Sequence, residues 1–253
     1  MATASLLAVF GLVVGSFLNV CIYRLPRHES LNWPGSHCTS CNRPLSWYEN
    51  VPLVSWLALR GRCRTCRAAV SPMYPLVEAI TGAVFLAAYL LYGLTPLLAA
   101  RLLFACAMIV LFAIDLRHRL LPNVVTVPGI VAGFAFSLFL PPGPVSSLIG
   151  LVAGGGVLYA IGEGYYRLRG VEGMGMGDVK MLAMIGAFLG WPLMLVTLVL
   201  ASFTGSIVGV AVIASGRGGM KAALPFGTFL AIGALAAAVA GDPLLRWYLS
   251  FYR

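Results

Sequence analysis

Charge is what this sequence has least of. Only 10% of its 253 residues are charged and only eight are acidic, against roughly a quarter charged in a soluble domain. That scarcity excludes an ordinary water-soluble globule. Histidine is scarcer still, with three residues at positions 28, 37 and 118. All three are in or beside polar stretches, which leaves no convincing Ser/His or Cys/His pair for nucleophilic catalysis. No βαβ pattern surrounds the glycines near 175 and their Gly-x-Gly-x-x-Gly is not completed, so dinucleotide binding is excluded. The net charge of +9 would suit a nucleic acid, but the basic residues do not gather on one soluble domain, and nucleic acid is excluded as a partner. The first apolar segment, Ala4 to Cys21, lacks a basic leader and a clear Ala-x-Ala site, so it reads as a retained membrane span.

What the chain does have is hydrophobic residues, at 60%. They fall in runs at about 3–22, 76–93, 96–115, 124–140, 145–166, 179–195, 196–214 and 224–241. Runs of this length predict an all-α polytopic membrane protein with about eight transmembrane helices. The short stretch 179–214 carries two of them, as a tight hairpin near Trp191-Pro192. Three regions follow: a first transmembrane helix over 1–22, a loop over 23–75, and a membrane core over 76–253. The loop holds Arg24, Arg27, Arg43, Arg60, Arg62, Arg64 and Arg67, so the positive-inside bias turns it to the cytosol. Alternation then puts Arg117, Arg119, Arg167, Arg169, Lys180, Arg217 and Lys221 on the same side. Anionic lipid headgroups are the expected partner of these arginines. Gly-x-x-x-Gly recurs in five runs, Gly150/Gly154 and Gly186/Gly190 among them, and reads as close helix packing rather than function.

Within the loop, Cys38-x-x-Cys41 and Cys63-x-x-Cys66 supply two knuckles of a closed four-thiolate set, which suits a structural zinc; a redox pair or plain free thiols are the alternatives. His37 is a bystander beside a filled ligand set. A closed site of this kind implies stability rather than chemistry, because it staples a loop too small for its own core.

An acid within a span is costly, about 2.5–3.5 kcal/mol at its centre, and marks function. Glu29, Glu49, Glu172 and Asp242 are in loops and read as solvated. Glu163 stands four residues before Arg167, the spacing of an ordinary helix pair. Glu78 opens the second span, where it either serves a site or caps the helix. Asp115 and Asp178 remain, each at a cytosolic membrane edge, and two apposed carboxylates can share one proton and activate water. Gly175 and Gly177 before Asp178 let backbone approach a substrate strand, and Lys180 follows. A proton- or ion-coupled transporter and plain structural charge are the competing readings. Helix polarity predicts Asp178 as the base and Asp115 as the acid.

The order of these motifs resembles the type IV prepilin peptidases. The resemblance runs from Gly15-Ser-Phe-Leu-Asn-Val-Cys-Ile-Tyr-Arg-Leu-Pro26, through both Cys pairs with Asn50-Val-Pro-Leu-Val-Ser-Trp56 between them. It continues through Ser71-Pro-Met-Tyr-Pro-Leu-Val-Glu78, Ile114-Asp115-Leu116 and Leu121-Pro122-Asn123 to Gly175-Met-Gly-Asp-Val-Lys180. It implies a multi-pass enzyme of the bacterial inner membrane that cuts prepilin and pseudopilin leaders on the cytosolic side, after a Gly and usually before a Phe. Members with the Cys-bearing loop also N-methylate the new terminus with S-adenosylmethionine. Carried over by position, Asp115 and Asp178 are the catalytic pair, and Cys38, Cys41, Cys63 and Cys66 the metal ligands. The family often has acids where Arg117 and Asn123 stand here, which narrows the choice of dyad to Asp115. The loop and Glu78 are the candidates for the methyl-transfer site.

Overall fold

The computed structural model describes residues 2–170, 175–215 and 224–251. Among them no residue belongs to a named strand; the regular structure is helical. The chain divides into two compact units, Met1–Leu102 and Leu103–Arg253.

In the first unit α1 (Ala2–Arg24) lies against α3 (Met73–Tyr92), with the short α2 (Val54–Ala58) in the loop between them. The two long helices run antiparallel. A methyl group at Gly11 would strike Phe85 and Gly82, one at Gly15 would strike Glu78 and Thr81, and Asn19 Nδ2 donates to the Tyr74 carbonyl at 3.0 Å. Lipid offers apolar helices no hydrophobic reason to pair, so close backbone approach at small residues holds them. The loop is folded back on α1 by Arg24, which is buried. Its guanidinium donates to the carbonyls of Ser30, Leu31, Pro34 and Gly35, so a charge taken out of water finds backbone acceptors instead.

Helix α4 (Pro96–His118) starts in the first unit, and the second unit continues with α5 (Asn123–Ser137), α6 (Pro144–Arg169), α7 (Met176–Ala214) and α8 (Phe226–Ser250). Its centre is the first part of α7. Met181, Leu182, Met184, Ile185 and Leu189 are all fully buried, as expected of a helix apolar on every face. Around it pack residues of α4, α6 and α8, including Phe104, Met108, Leu158 and Leu230.

α7 spans 39 residues but is broken at Gly190, whose φ of 77° and ψ of 170° are not helical. The contacts on either side show that the chain reverses there. Before the break, Gly154 of α6 meets Leu182 and Gly150 meets Gly186 and Gly190. After it, α8 runs antiparallel to the second arm, with Gly241 against Leu193, Gly233 against Thr197 and Ala201, and Gly205 against Phe229. The hairpin is therefore made by a glycine in a conformation closed to L-residues, one residue before Trp191-Pro192. The expected count of about eight spans is not reproduced. Among the described residues six helices are long and apolar enough to cross a membrane, and α5 is shorter. The difference lies in α5, at 15 residues, and in α7, whose first arm (176–189) reaches about 21 Å, less than a bilayer core of about 30 Å.

This winding brings the end of α4, the start of α5, the start of α7 and the start of α8 to one end of the unit. Arg117, Arg119 and Lys180 lie at that end by position. Arg217 and Lys221 lie outside the described residues.

Candidate active site

Asp115 stands three residues before the end of α4 and is 4% exposed. Its partner is on α8. Thr228 donates to Asp115 Oδ2 twice, from its backbone N–H at 2.7 Å and from its hydroxyl at 3.0 Å. The reason is visible in the local sequence. The residue before α8 is Pro225, with no side chain that can cap, and the first N–H groups of any helix need an acceptor from elsewhere. Asp115 supplies it from 113 positions away.

Asp178 sits in the first turn of α7, where its N–H donates to the Gly175 carbonyl at 3.1 Å. It is partly buried, and it lies within electrostatic reach of Asp115. Leu121 sits between the two helix starts. A methyl on Gly177 would come within 2.9 Å of Leu121 Cβ, and one on Gly227 within 2.9 Å of Leu121 Cδ1 and 3.0 Å of Asp115 Oδ2. Gly177 and Gly227 are thus bare because two helix N-termini close on one leucine beside the carboxylates. Lys180 Nζ donates to Asn123 Oδ1 at 2.9 Å, which ties the start of α5 to the start of α7. Gly173 and Met174, the head of the glycine stretch, lie outside the described residues.

Helix polarity does not separate the roles of the two acids. Asp115 ends α4 but also receives the N-terminus of α8, so both carboxylates stand at the positive end of a helix. Polarity alone therefore does not assign acid and base. Gly227 and Thr228 were not among the residues expected at the site. The only signal in the sequence is a Gly-Thr pair just after Pro225, at the edge of the last apolar run.

Glu78 belongs to the first unit and neither caps α3 nor sits in its first turn. It is 8% exposed, and its Oε2 accepts the Leu53 N–H at 2.8 Å. Leu53 has φ 61° and ψ −51°, and Val54 N–H bonds the Pro52 carbonyl at 2.6 Å. This is a γ-turn of the rare, strained hand, at a position where an L-residue is disfavoured.

The four cysteines come together. The Sγ atoms of Cys38, Cys41, Cys63 and Cys66 lie within 4.8 Å of one another. Each pair is a knuckle of the same design. Cys38 N–H bonds the Arg43 carbonyl and Asn42 turns back at φ 55°; Cys63 N–H bonds the Ala68 carbonyl and Arg67 turns back at φ 60°. Cys38 and Cys66 are 3.8 Å apart, close to the about 3.8 Å edge of a tetrahedron with metal–sulfur bonds of about 2.3 Å. The donor set therefore fits a metal ion. The backbone N–H groups of Cys66 and Thr65 pull the Cys63 thiol down to about 6, and those of Cys41 and Ser40 lower Cys38. Cys66 is pushed up to about 11, because the lowering effect of the Ala68 N–H is outweighed by burial and by the neighbouring sulfurs. His37 Nδ1 pairs with the Gly35 carbonyl at 3.0 Å. Glu49, expected as a solvated loop acid, is instead shielded. It binds Arg43 at 2.6 Å and Ser46 N–H at 2.8 Å, and the Arg43 guanidinium, followed by the Ser46 N–H, holds its carboxyl below the usual range. It thus braces the first knuckle.

Two family models match the chain. The Bacterial Peptidase A24 N-terminal domain matches residues 9–92 and the Type IV leader peptidase family residues 102–210. A protein of Aeromonas salmonicida (strain A449) named prepilin leader peptidase/N-methyltransferase is 39% identical over 277 residues, covering 97% of this chain and 94% of that protein. One of the same name from Pseudomonas aeruginosa is 36% identical over 272 residues, covering 96% and 92%. One from Myxococcus xanthus is 42% identical over 220 residues, covering 86% and 66%. No solved structure matches the chain.

Proposed function

The chain belongs to the type IV leader peptidase family, and from that premise we propose that it is a membrane-embedded aspartyl endopeptidase. Its substrates are the leaders of type IV prepilins and pseudopilins, cut on the cytosolic face of the bacterial inner membrane. The observation that carries this reading is that Asp115 and Asp178 lie within electrostatic reach of one another, where the starts of α7 and α8 close on Leu121. One proton is shared by the pair. The ionised carboxylate takes a proton from water as the water oxygen attacks the scissile carbonyl carbon, and the protonated carboxyl gives its proton to the carbonyl oxygen. Collapse of the tetrahedral intermediate returns a proton to the dyad and delivers one to the departing amine, which restores the starting state. The buried, apolar setting strengthens each of these contacts. Gly175, where an added Cβ would meet nothing nearer than 3.7 Å, leaves room for an extended substrate segment, Gly177 lets α7 close on Leu121, and Lys180 fixes α5 against α7 at the same mouth.

The same names support a second activity, methylation of the new N-terminus, with S-adenosylmethionine as donor. We assign it to the first unit, which a separate N-terminal domain model matches and the Type IV leader peptidase family model does not, with the Cys loop and Glu78 as its candidate parts. Zinc is our choice for the four-thiolate site, where it would hold the loop's shape and take no part in the peptidase chemistry. Anionic headgroups are the proposed partners of the loop arginines. The transporter reading has no support from the family or its members' names.

The deciding experiment is cleavage of a prepilin in membranes, with the mass of the mature N-terminus read out, by wild type, Asp115→Asn and Asp178→Asn. Each change is nearly isosteric. Loss of cleavage in both folded variants is the expected result; a rate near wild type in either would overturn the dyad.

A further inference from the structure

The bonds from Thr228 to Asp115 do more than α8 requires. A helix start without a cap needs an acceptor for its N–H groups, and the Thr228 N–H on Asp115 Oδ2 at 2.7 Å meets that need. The Thr228 hydroxyl, at 3.0 Å, adds a second donor to the same oxygen. It satisfies no backbone group of the helix. Thr228 is itself buried, and Gly227 beside it is bare so that its chain can lie against the carboxylate: a Cβ there would fall 3.0 Å from Oδ2 and 3.1 Å from Cγ. A carboxylate held by one bond can swing about its last torsion, whereas an oxygen held by both the N–H and the hydroxyl of one residue is restrained more firmly.

We infer that Thr228 is a positioning residue of the peptidase reaction, with its hydroxyl and N–H locking Asp115 Oδ2 so that Oδ1 is the oxygen offered to water and substrate. The inference rests on the reading of Asp115 as catalytic. It adds the first turn of α8 as a third sequence element of the site, besides the residues around Asp115 and the Gly-x-Gly-Asp stretch. Its chemical content is an orientation effect. Misplacement of a reacting group by a fraction of an ångström is felt in the rate of the chemical step more than in binding.

The test is steady-state cleavage of a prepilin by the full-length protein in detergent or membranes, for Thr228→Val, Thr228→Ser and Thr228→Pro, with Asp115→Asn as reference. Valine keeps the shape and the N–H but removes the hydroxyl. Loss of one hydrogen bond to a charged group corresponds to about a tenfold change, so Thr228→Val should lower kcat about tenfold with KM unchanged. Serine restores the hydroxyl and should stay within about twofold of wild type. Proline, tolerated in a helix's first turn, removes both donors and should lower kcat about a hundredfold. Melting temperatures measured alongside separate positioning from folding. If Thr228→Val turns over at the wild-type rate while Asp115→Asn is inactive, the inference is wrong and the dyad stands. If Val and Ser lose equal activity together with thermal stability, Thr228 is structural only and the inference is again wrong. If Asp115→Asn itself cleaves normally, it is the underlying reading of the dyad that fails.

Discussion

The α6–α7 contact sets a sharp test of how the helix that carries Asp178 is held. A Cβ built on Gly186 would lie 2.1 Å from the Gly150 carbonyl oxygen, 2.2 Å from its carbonyl carbon and 2.8 Å from Leu151 N. These are backbone atoms and cannot rotate away. Ordinary contact needs about 3.5 Å, so Gly186→Ala must push the helices apart by about 1 Å or more. Overpacking of this kind costs about 1–3 kcal/mol, and a backbone obstacle places it at the upper end. Alanine returns up to about 1 kcal/mol through helix propensity, which leaves a net loss of about 2 kcal/mol. Gly156→Ala on α6 is the control. It has nothing within 4 Å of the added methyl, so it gains the propensity term alone. The two variants should differ by about 3 kcal/mol, roughly 6–12 °C in Tm for a chain of this size. The displaced arm carries Asp178, the proposed catalytic partner of Asp115, two helical turns away; a shift of about 1 Å at a reacting group can cost about a hundredfold, so Gly186→Ala should also lose most of its kcat. Thermal unfolding in detergent micelles and prepilin cleavage give the two readouts. A Gly186→Ala protein that melts with Gly156→Ala and cleaves at the wild-type rate would refute the argument.

Other sites make simpler demands. Gly227→Ala places its methyl against Asp115 Oδ2 and Leu121 and should reduce cleavage about tenfold or more, read as kcat at unchanged expression. Glu78→Ala removes the acceptor of the Leu53 N–H; an unpaired buried donor costs about 1–3 kcal/mol, so trypsin should cut at Arg60 and Arg62 about tenfold faster in a timed digest. The metal site should take up one zinc per chain, by elemental analysis, and Cys41→Ser with Cys66→Ser should abolish uptake. With the Cys63 thiol pulled down to about 6 by the backbone N–H groups of Cys66 and Thr65, it is mostly thiolate at pH 7 and yields few protons to an incoming metal. Below its pKa the metal must displace that proton. Proton release per metal should therefore be below four at pH 7 and rise toward four as pH falls through 6, measured by calorimetry in buffers of different ionisation enthalpy.

How much of this was legible in the sequence depends on how local the cause is. The two Cys knuckles are local: two residues between ligands and a left-handed residue just after, Asn42 and Arg67, are enough to build each one. The Glu163–Arg167 bond at 2.8 Å follows from a spacing of four. The helix hairpin in 179–214 was readable from the short length and basic flanks. The turn is expected near Trp191-Pro192 because proline suits the first turn of a new helix; the break falls at Gly190, where an added Cβ would meet Ser146 of α6 and Pro142 just before that helix. Thr228 beside Asp115 and Glu78 beneath the Leu53 turn escape a reading of the sequence for one reason. Each is defined by a backbone or side-chain partner that no periodicity connects to it.

That difference also explains how the site works as a unit. Asp115 alone is an acid at the end of an apolar helix, and Asp178 alone is an acid at the start of another. Neither position states what balances a charge at the edge of a membrane. The answer lies in α8, whose uncapped start needs an acceptor as much as Asp115 needs donors. Each solves the other's desolvation problem, so forming the site and docking the last helix are the same event. A substitution that frees the start of α8 should therefore perturb catalysis even with both aspartates in place. One that only thins the α8 core far from residue 228, such as Ala237→Gly, should lower stability first. Measuring kcat and Tm together across such a pair would separate the two, and equal losses of kcat at matched Tm would show that α8 acts through packing alone.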